Sequence, residues 1–217
     1  MTSPLSEASA QLLDTAPLVR RAVGLDPRTL VRVRLNAGSV TSFVRLPFGV
    51  LVGRTVKAQW DGDEIDSVVT ARELLAWLDG ATAKPPASWD PLWRGPIPPG
   101  GGWRRVETIP DAVVRNLVRK GASALQEAAE REGVPGSQPR AEVADALLDS
   151  VVVTAQSGEL RAEVTLRTLS AVTRMGFMPA GSRAAIDLSG RWLRVAAEFG
   201  SVYAERRGSG LAVLSGL

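Results

Sequence analysis

A segment rich in proline and glycine divides this sequence into two stretches that can form regular structure. Residues 81–102 contain six prolines and end in three consecutive glycines. Proline lacks a backbone N–H and has a fixed φ, so helices and central strands do not continue through such a segment. We therefore predict three regions: residues 1–80 with an N-terminal helix, a β-meander and a helix, a connecting loop at residues 81–103, and residues 104–217 with helices and antiparallel strands. The two halves can form one core or two.

Alternating apolar and polar residues predict strands in both stretches. Residues 31–35 are Val-Arg-Val-Arg-Leu, with the period of two that places neighbouring side chains on opposite faces of a sheet. Segments 40–46, 50–60 and 65–69 continue the meander, and Asp61-Gly62-Asp63 predicts a hairpin turn between the last two. Strands of the second stretch are predicted at residues 104–108, 151–154, 160–164, 184–188, 191–198, 201–206 and 211–214.

Helix signals lie on both sides of the meander and in the second stretch. Pro17 suits the first turn of a helix, and Thr70 with Glu73 forms a capping box. Further helices are predicted at residues 110–132 and 139–149 and from Thr165 onward. The predicted fold class is therefore α+β, with an antiparallel β-meander and flanking helices in each half, joined by a Pro/Gly/Trp-rich loop. No internal sequence repeat is visible.

The composition removes several kinds of chemistry. The sequence has no cysteine and no histidine, which excludes a thiol nucleophile, a disulfide framework and a zinc ribbon, and removes the commonest general base. It contains no phosphate-binding loop, dinucleotide fingerprint or nucleophile elbow. We therefore predict a protein that is not an enzyme and holds no cofactor.

One dense acidic cluster has two interpretations. Asp61, Asp63, Glu64 and Asp66 supply the oxygen ligands that Mg²⁺ or Ca²⁺ prefers. The same residue types also form solvated turns, because Asp and Gly satisfy turn geometry. We favour the turn and predict no metal site.

Charge and targeting signals indicate a cytoplasmic bacterial protein. Residues 1–58 carry eight cations and three anions, a net charge of +5, whereas the rest of the chain is −2. This asymmetry is a pointer to an anionic partner of the first stretch.

We find no signal-peptide pattern and no apolar run long enough to span a bilayer. Arginine far exceeds lysine, as is typical of a GC-rich bacterial genome.

A first candidate surface is one face of the meander. Strand alternation places Arg32, Arg34, Phe43, Arg45 and Lys57 on a common face. Cations around an exposed aromatic ring suit single-stranded nucleic acid, because phosphates meet charge and a base stacks on the ring. The plainer interpretation is a solvated outer face covered by long arginine stems, with Phe43 under a helix. Nucleic-acid binding is therefore the alternative function.

A second candidate surface is the connecting loop and its continuation. Tryptophan and arginine dominate binding hot spots, and this region holds Trp89, Trp93, Arg94, Trp103, Arg104 and Arg105. The indoles can instead anchor the loop on the body. Our leading prediction is a binding or adaptor protein that engages a protein partner through this loop or through a sheet edge. Strand edges are also compatible with a homodimer.

Overall fold

The computed structural model describes residues 12–36, 38–58, 64–131 and 141–206, and it confirms the α+β fold class. These residues form helices α1 (Ala16–Leu25), α2 (Ala71–Leu78), α3 (Asp111–Arg131), α4 (Ala141–Leu148) and α5 (Leu166–Arg174). They form strands β1 (Leu30–Asn36), β2 (Ser39–Arg45), β3 (Leu51–Lys57), β4 (Ile65–Thr70), β5 (Arg104–Pro110), β6 (Val151–Ser157), β7 (Leu160–Thr165), β8 (Arg183–Ser189), β9 (Trp192–Ala197) and β10 (Gly200–Glu205). The connecting loop contains one short 3₁₀ turn, Asp90–Leu92.

Eight strands form a single antiparallel sheet in the order β4-β1-β2-β3-β10-β9-β8-β5, while β6 and β7 form a separate hairpin. The sheet consists of two equivalent halves that meet at β3 and β10. In each half, three consecutive strands follow a helix, and a fourth strand at the sheet edge leads directly into another helix. The structure therefore has a repeated arrangement that the sequence does not display.

One predicted strand pairing is wrong. The strand after the acidic cluster forms as expected, but β4 pairs with β1, with Val69 opposite Val31, and not with β3. The second edge of β3 pairs with β10 instead, which is 150 residues away along the chain. The predicted turn at residues 61–63 and the predicted strand at residues 211–214 both lie outside the described residues.

Two helices begin where the capping signals predict. The Thr70 hydroxyl accepts a hydrogen bond from the Glu73 amide at 3.3 Å and donates to the Glu73 carboxylate at 2.8 Å. The Thr165 hydroxyl accepts from the Thr168 amide at 3.3 Å. Each cap satisfies an amide that has no partner within the helix, so α2 and α5 begin immediately after β4 and β7.

The helices pack on one face of the large sheet and form a core that runs through both halves. Leu18 of α1 and Leu169 of α5 belong to the same cluster of buried side chains as Val31 of β1 and Ile186 of β8. The two halves therefore share one core. Removing this continuous apolar surface from water is the main stabilising term for a chain of this size.

The two half-sheets are joined by a short ladder. β3 and β10 pair through three residue pairs: Leu51–Tyr203, Val52–Val202 and Gly53–Ser201. Gly53 also lies opposite Phe43 of β2, and a Cβ atom at Gly53 would stand 2.9 Å from the Phe43 ring. Because a real Cβ does not approach so closely, the phenyl ring occupies the space that any larger residue would need.

We expect Gly53→Ala to lower the free energy of unfolding by about 1–3 kcal/mol, because the added methyl group must displace Phe43. Urea denaturation measures the change. Gly101→Ala is the control, since no atom lies within 4 Å of its built Cβ; this variant should change stability by less than about 0.5 kcal/mol. Equal stability of the two variants would contradict the packing described for Gly53.

Candidate binding site at the junction of the two halves

Arginine side chains cross the junction between the halves and donate to backbone carbonyls on the other side. These contacts are Arg21 to Met175 O at 2.7 Å, Arg54 to Phe199 O at 2.8 Å and Arg167 to Phe48 O at 2.8 Å. A guanidinium group offers five donors and stays charged at physiological pH. These three contacts therefore join side chains of one half to the backbone of the other.

The connecting loop covers the face of the sheet opposite the helices. Four buried residues from both halves form a second apolar cluster there: Phe43, Leu51, Trp192 and Tyr203. Three partly buried side chains of the loop pack on this cluster: Trp93, Ile97 and Trp103. Burial also raises the pKa of Tyr203. The loop thus spans the junction and gives the sheet a second, smaller core.

Two arginines hold the connecting loop, one at its centre and one at its end. Arg45 of β2 donates to the carbonyls of Arg94 at 2.9 Å and Pro96 at 3.1 Å. At the end of the loop, the guanidinium of Arg194 lies 4.3 Å from the centre of the Trp103 ring, a distance suited to a cation–π interaction. The loop is therefore fastened to β2 in the first half and to β9 in the second.

The beginning of the loop binds the edge of β4. The Trp89 amide donates to Val68 O, and the Val68 amide donates to the Asp90 carboxylate, both at 2.6 Å. A hydrogen bond with the Ser88 side chain and the bond from the Val68 amide lower the pKa of Asp90. Both backbone groups of Val68 are therefore occupied, which protects this edge from pairing with another strand.

The predicted partner-binding residues fall into two groups. Trp93 and Trp103 are partly buried and anchor the loop, as the plainer interpretation of these indoles expected. Trp89 is 42% exposed, and three arginines are exposed as well: Arg94, Arg104 and Arg105. Arg105 is bound to Asp187 at 2.8 Å.

The five residues predicted for nucleic acid do share one sheet face. The burial pattern and register of β1, β2 and β3 place Arg32, Arg34, Phe43, Arg45 and Lys57 opposite the helices. Phe43, however, is only 5% exposed, because the connecting loop packs over it. The exposed stacking ring that the nucleic-acid alternative requires is therefore not present, and the element that covers Phe43 is the connecting loop, not a helix as the plainer interpretation expected.

The arginines of this face already have partners within the chain. Arg32 binds both carboxylate oxygens of Asp66, at 2.6 and 2.7 Å, and Arg34 donates to Glu64. The hydrogen bond to Asp66 raises the pKa of Arg32. Lys57 is exposed. The charges of Arg32 and Arg34 are thus neutralised by carboxylates of the protein itself.

The acidic cluster supplies those partners. Glu64 and Asp66 bind the arginines of β1, whereas Asp61 and Asp63 lie outside the described residues. Within the described part of the chain, no group of three or more acidic, histidine or cysteine residues is placed to hold a metal ion.

A cavity of about 690 Å³ opens beside the short ladder. The last residue pair is Leu51–Tyr203, where β3 begins, whereas β10 continues to Glu205; residues of the β6–β7 hairpin and of the start of α5 complete the lining. The apolar lining is supplied by Val50, Leu51, Val151, Trp192, Leu193 and Tyr203. The charged lining is supplied by Arg45, Asp149, Arg161, Glu163, Arg167, Glu205 and Arg206. Leu51, Trp192 and Tyr203 also belong to the cluster beneath the connecting loop.

Sequence reasoning missed this cavity. Its walls come from five separate parts of the chain, and no spacing or motif connects them. Arg45 was selected for the sheet face, but its position at the cavity depends on the pairing of β3 with β10, which the sequence does not reveal. In the part of the chain that the structure describes, no helix is long and apolar enough to cross a membrane.

Two family models match the sequence. Residues 4–95 match the model described as domain of unknown function DUF8010, and residues 98–209 match the model described as domain of unknown function DUF8185. The first match ends and the second begins within the connecting loop. The comparison with curated proteins found no match.

Solved structures of bacterial sliding clamps share this fold. The DNA polymerase sliding clamp from Pseudomonas aeruginosa is 12% identical, with a TM-score of 0.55 over 91% of this chain and 62% of that one. The β sliding clamp of Caulobacter crescentus is 12% identical, with a TM-score of 0.51 over 91% and 63% of the two chains. A Helicobacter pylori β clamp in complex with Diflunisal is 8% identical, with a TM-score of 0.51 over 91% and 62%.

The chain thus spans less than two thirds of the length of these clamps. Identities this low establish a likeness of fold. They support the α+β assignment and the arrangement of one large antiparallel sheet with helices on one face.

We expect Trp103→Ala to lower the free energy of unfolding by about 2 kcal/mol, because it removes the contacts with Arg194 and Tyr203 that fasten the loop. Limited proteolysis should then cut the connecting loop faster. Trp89→Ala is the matched control, because this indole is exposed, and its effect should stay within about 0.5 kcal/mol. If both variants unfold at the same urea concentration, Trp103 is not an anchor.

Proposed function

The chain belongs to the family described as domain of unknown function DUF8185, and we propose that it is a non-enzymatic adaptor that binds a protein partner at the junction of its two halves. The observation that carries this proposal is the cavity beside the β3–β10 ladder. Binding sites are typically concave and mostly apolar, with a few polar groups that fix orientation. This cavity is concave and combines apolar walls with charged groups that can fix orientation, and its apolar lining continues into the cluster under the connecting loop.

The carboxylates of the cavity favour binding over catalysis. Asp149 binds Arg167 at 2.7 Å, and Glu163 binds Arg161 at 2.8 Å. Glu205 lies 3.6 Å from Arg191. Each carboxylate thus has an arginine partner, whereas general acid–base catalysis needs a carboxyl group free to exchange a proton with a substrate.

The connecting loop extends the proposed surface. Arg45 lines the cavity and holds the loop at Arg94 and Pro96, while Trp103 contacts Tyr203 of the cavity wall. The exposed Arg94, Arg104 and Arg105 lie outside the cavity lining and would form the polar part of this extended surface. An apolar centre with a polar rim is the usual composition of a protein interface.

The fold likeness supports an adaptor role. The solved structures similar to this chain include sliding clamps, one of them in complex with Diflunisal. By analogy with these clamps, this fold is suited to a protein that binds a partner and has no catalytic groups. Assembly of two or more copies through sheet edges is compatible with the same analogy.

A nucleic-acid partner is the second candidate, favoured by the likeness to DNA polymerase sliding clamps. Direct binding of short single- and double-stranded DNA and RNA, measured by fluorescence anisotropy across a salt series, tests it. Several phosphate contacts would make log K fall steeply with log salt. Lys57→Gln should weaken such binding if the meander face is used, because Lys57 is exposed whereas Arg32 and Arg34 already bind carboxylates of this chain.

We expect Val151→Trp to abolish binding of the protein partner, because the indole would fill the cavity. Val151 lines the cavity and is 49% exposed, so the fold should tolerate the larger side chain. Val113→Trp is the matched control, since Val113 is 44% exposed but lies on α3 away from the cavity lining.

Affinity purification with quantitative mass spectrometry compares the three proteins. Partners retained by wild type and Val113→Trp but lost from Val151→Trp are expected. Identical sets of partners from all three would contradict the cavity as the binding site.

A further inference from the structure

We propose that the segment bound in the junction cavity is extended, apolar and acidic, with a carboxylate next to an aliphatic or aromatic side chain. This inference rests on the proposed function and identifies the class of partner for the same site. It is carried by the balance of charges at the cavity and by one unpaired stretch of β10.

The cavity has more positive than negative charge. Its lining contains four arginines and three carboxylates. Two of the arginines, Arg161 and Arg167, bind carboxylates of the same lining, and Arg167 also binds Asp145 outside it. The third carboxylate, Glu205, faces Arg191, which likewise lies outside the lining, so the excess of positive charge is unchanged. Arg45 and Arg206 remain without a carboxylate among their contacts in the described residues.

These two arginines face backbone carbonyls instead. Arg45 donates to two carbonyls of the connecting loop, and Arg206 donates to Arg161 O at a long 3.4 Å. Carbonyl dipoles satisfy donors but do not neutralise a full charge. A carboxylate of a partner would do so, and charge-assisted hydrogen bonds are about twice as strong as neutral ones.

A third source of positive charge lies next to the cavity wall. Arg105 and Arg194 both bind Asp187, a single carboxylate that is only 2% exposed. Two guanidinium groups on one carboxylate leave a net positive charge beside Tyr203 and Trp103. The apolar floor of the cavity is therefore flanked by cations from both halves.

Backbone geometry favours an extended segment. The Arg206 amide donates to Arg191 O of the β9 side at 2.7 Å. Because backbone groups alternate sides along an antiparallel strand, the N–H and C=O of the preceding residue, Glu205, point away from β9. The ladder with β3 has already ended at Tyr203, so no described strand pairs with Glu205 on that side. An extended peptide can use these groups by strand addition.

A peptide-display selection tests the partner class. A random library of peptides is selected on the full-length protein and counter-selected on Val151→Trp. Peptides that depend on the cavity should be enriched in Asp or Glu adjacent to Leu, Ile or Phe. Their affinity should fall as salt rises, because the added contacts are ionic.

Two charge-reversal variants then show whether peptide affinity depends on a cation at the cavity or on the net charge of the protein. Arg206→Glu should weaken the selected peptides about tenfold, through loss of attraction and added repulsion. Lys57→Glu is the control, since Lys57 is an exposed cation outside the cavity lining, and it should leave the affinity within about twofold. Both positions are exposed, and thermal melting checks that both variants are folded.

The outcomes distinguish this inference from the proposed function. Cavity-dependent peptides that are neutral or basic, or that bind equally well to Arg206→Glu, would overturn the acidic partner and leave the proposed function standing. Failure to recover any peptide sensitive to Val151→Trp would overturn both. Enrichment of acidic, apolar peptides weakened by Arg206→Glu alone would support the inference.

Discussion

The short ladder between β3 and β10 is the contact on which the rest of the structure depends. It joins two half-sheets of the same design into one, but only three residue pairs take part. A ladder of this length supplies few backbone hydrogen bonds, and each contributes only about 1 kcal/mol net. The junction is therefore held mainly by other means: the shared core on the helix face, arginines that donate to carbonyls across the junction, and the connecting loop on the opposite face.

The same shortness creates the candidate site. If β3 began before Leu51 and continued the ladder with β10, backbone and side chains would fill the space beside Leu51 and Tyr203. Because β3 begins at Leu51 while β10 continues to Glu205, the ladder stops there, and a cavity reaches the apolar cluster that the connecting loop covers from outside. Leu51, Trp192 and Tyr203 belong to both, so an occupant of the cavity and the loop contact the same side chains. The binding that we propose for the cavity would therefore be coupled to the anchoring of the loop.

Local sequence signals were sufficient to predict the helices and strands but not the order in which the strands pair. The alternation of β1 and the caps at Thr70 and Thr165 depend on neighbouring residues, so the sequence predicts them correctly. The pairing of β4 with β1, and of β3 with β10, depends on which edges remain free after the chain has folded. Sequence adjacency favoured a hairpin and gave the wrong partner for β4. The burial of Phe43 and the cavity follow from these distant pairings, and no local pattern indicates either.

The charge asymmetry of the first stretch shows why composition alone is a poor guide to a partner. Its arginines are used largely inside the chain: Arg32 and Arg34 bind carboxylates, while Arg21, Arg45 and Arg54 bind backbone carbonyls. Only the first kind of contact cancels charge, because a carbonyl satisfies donors without carrying a formal negative charge. An arginine that binds carbonyls thus stabilises the fold and still attracts an anion. Where such an arginine borders a cavity, as Arg45 does, the same side chain can hold the connecting loop and direct an acidic partner to the junction.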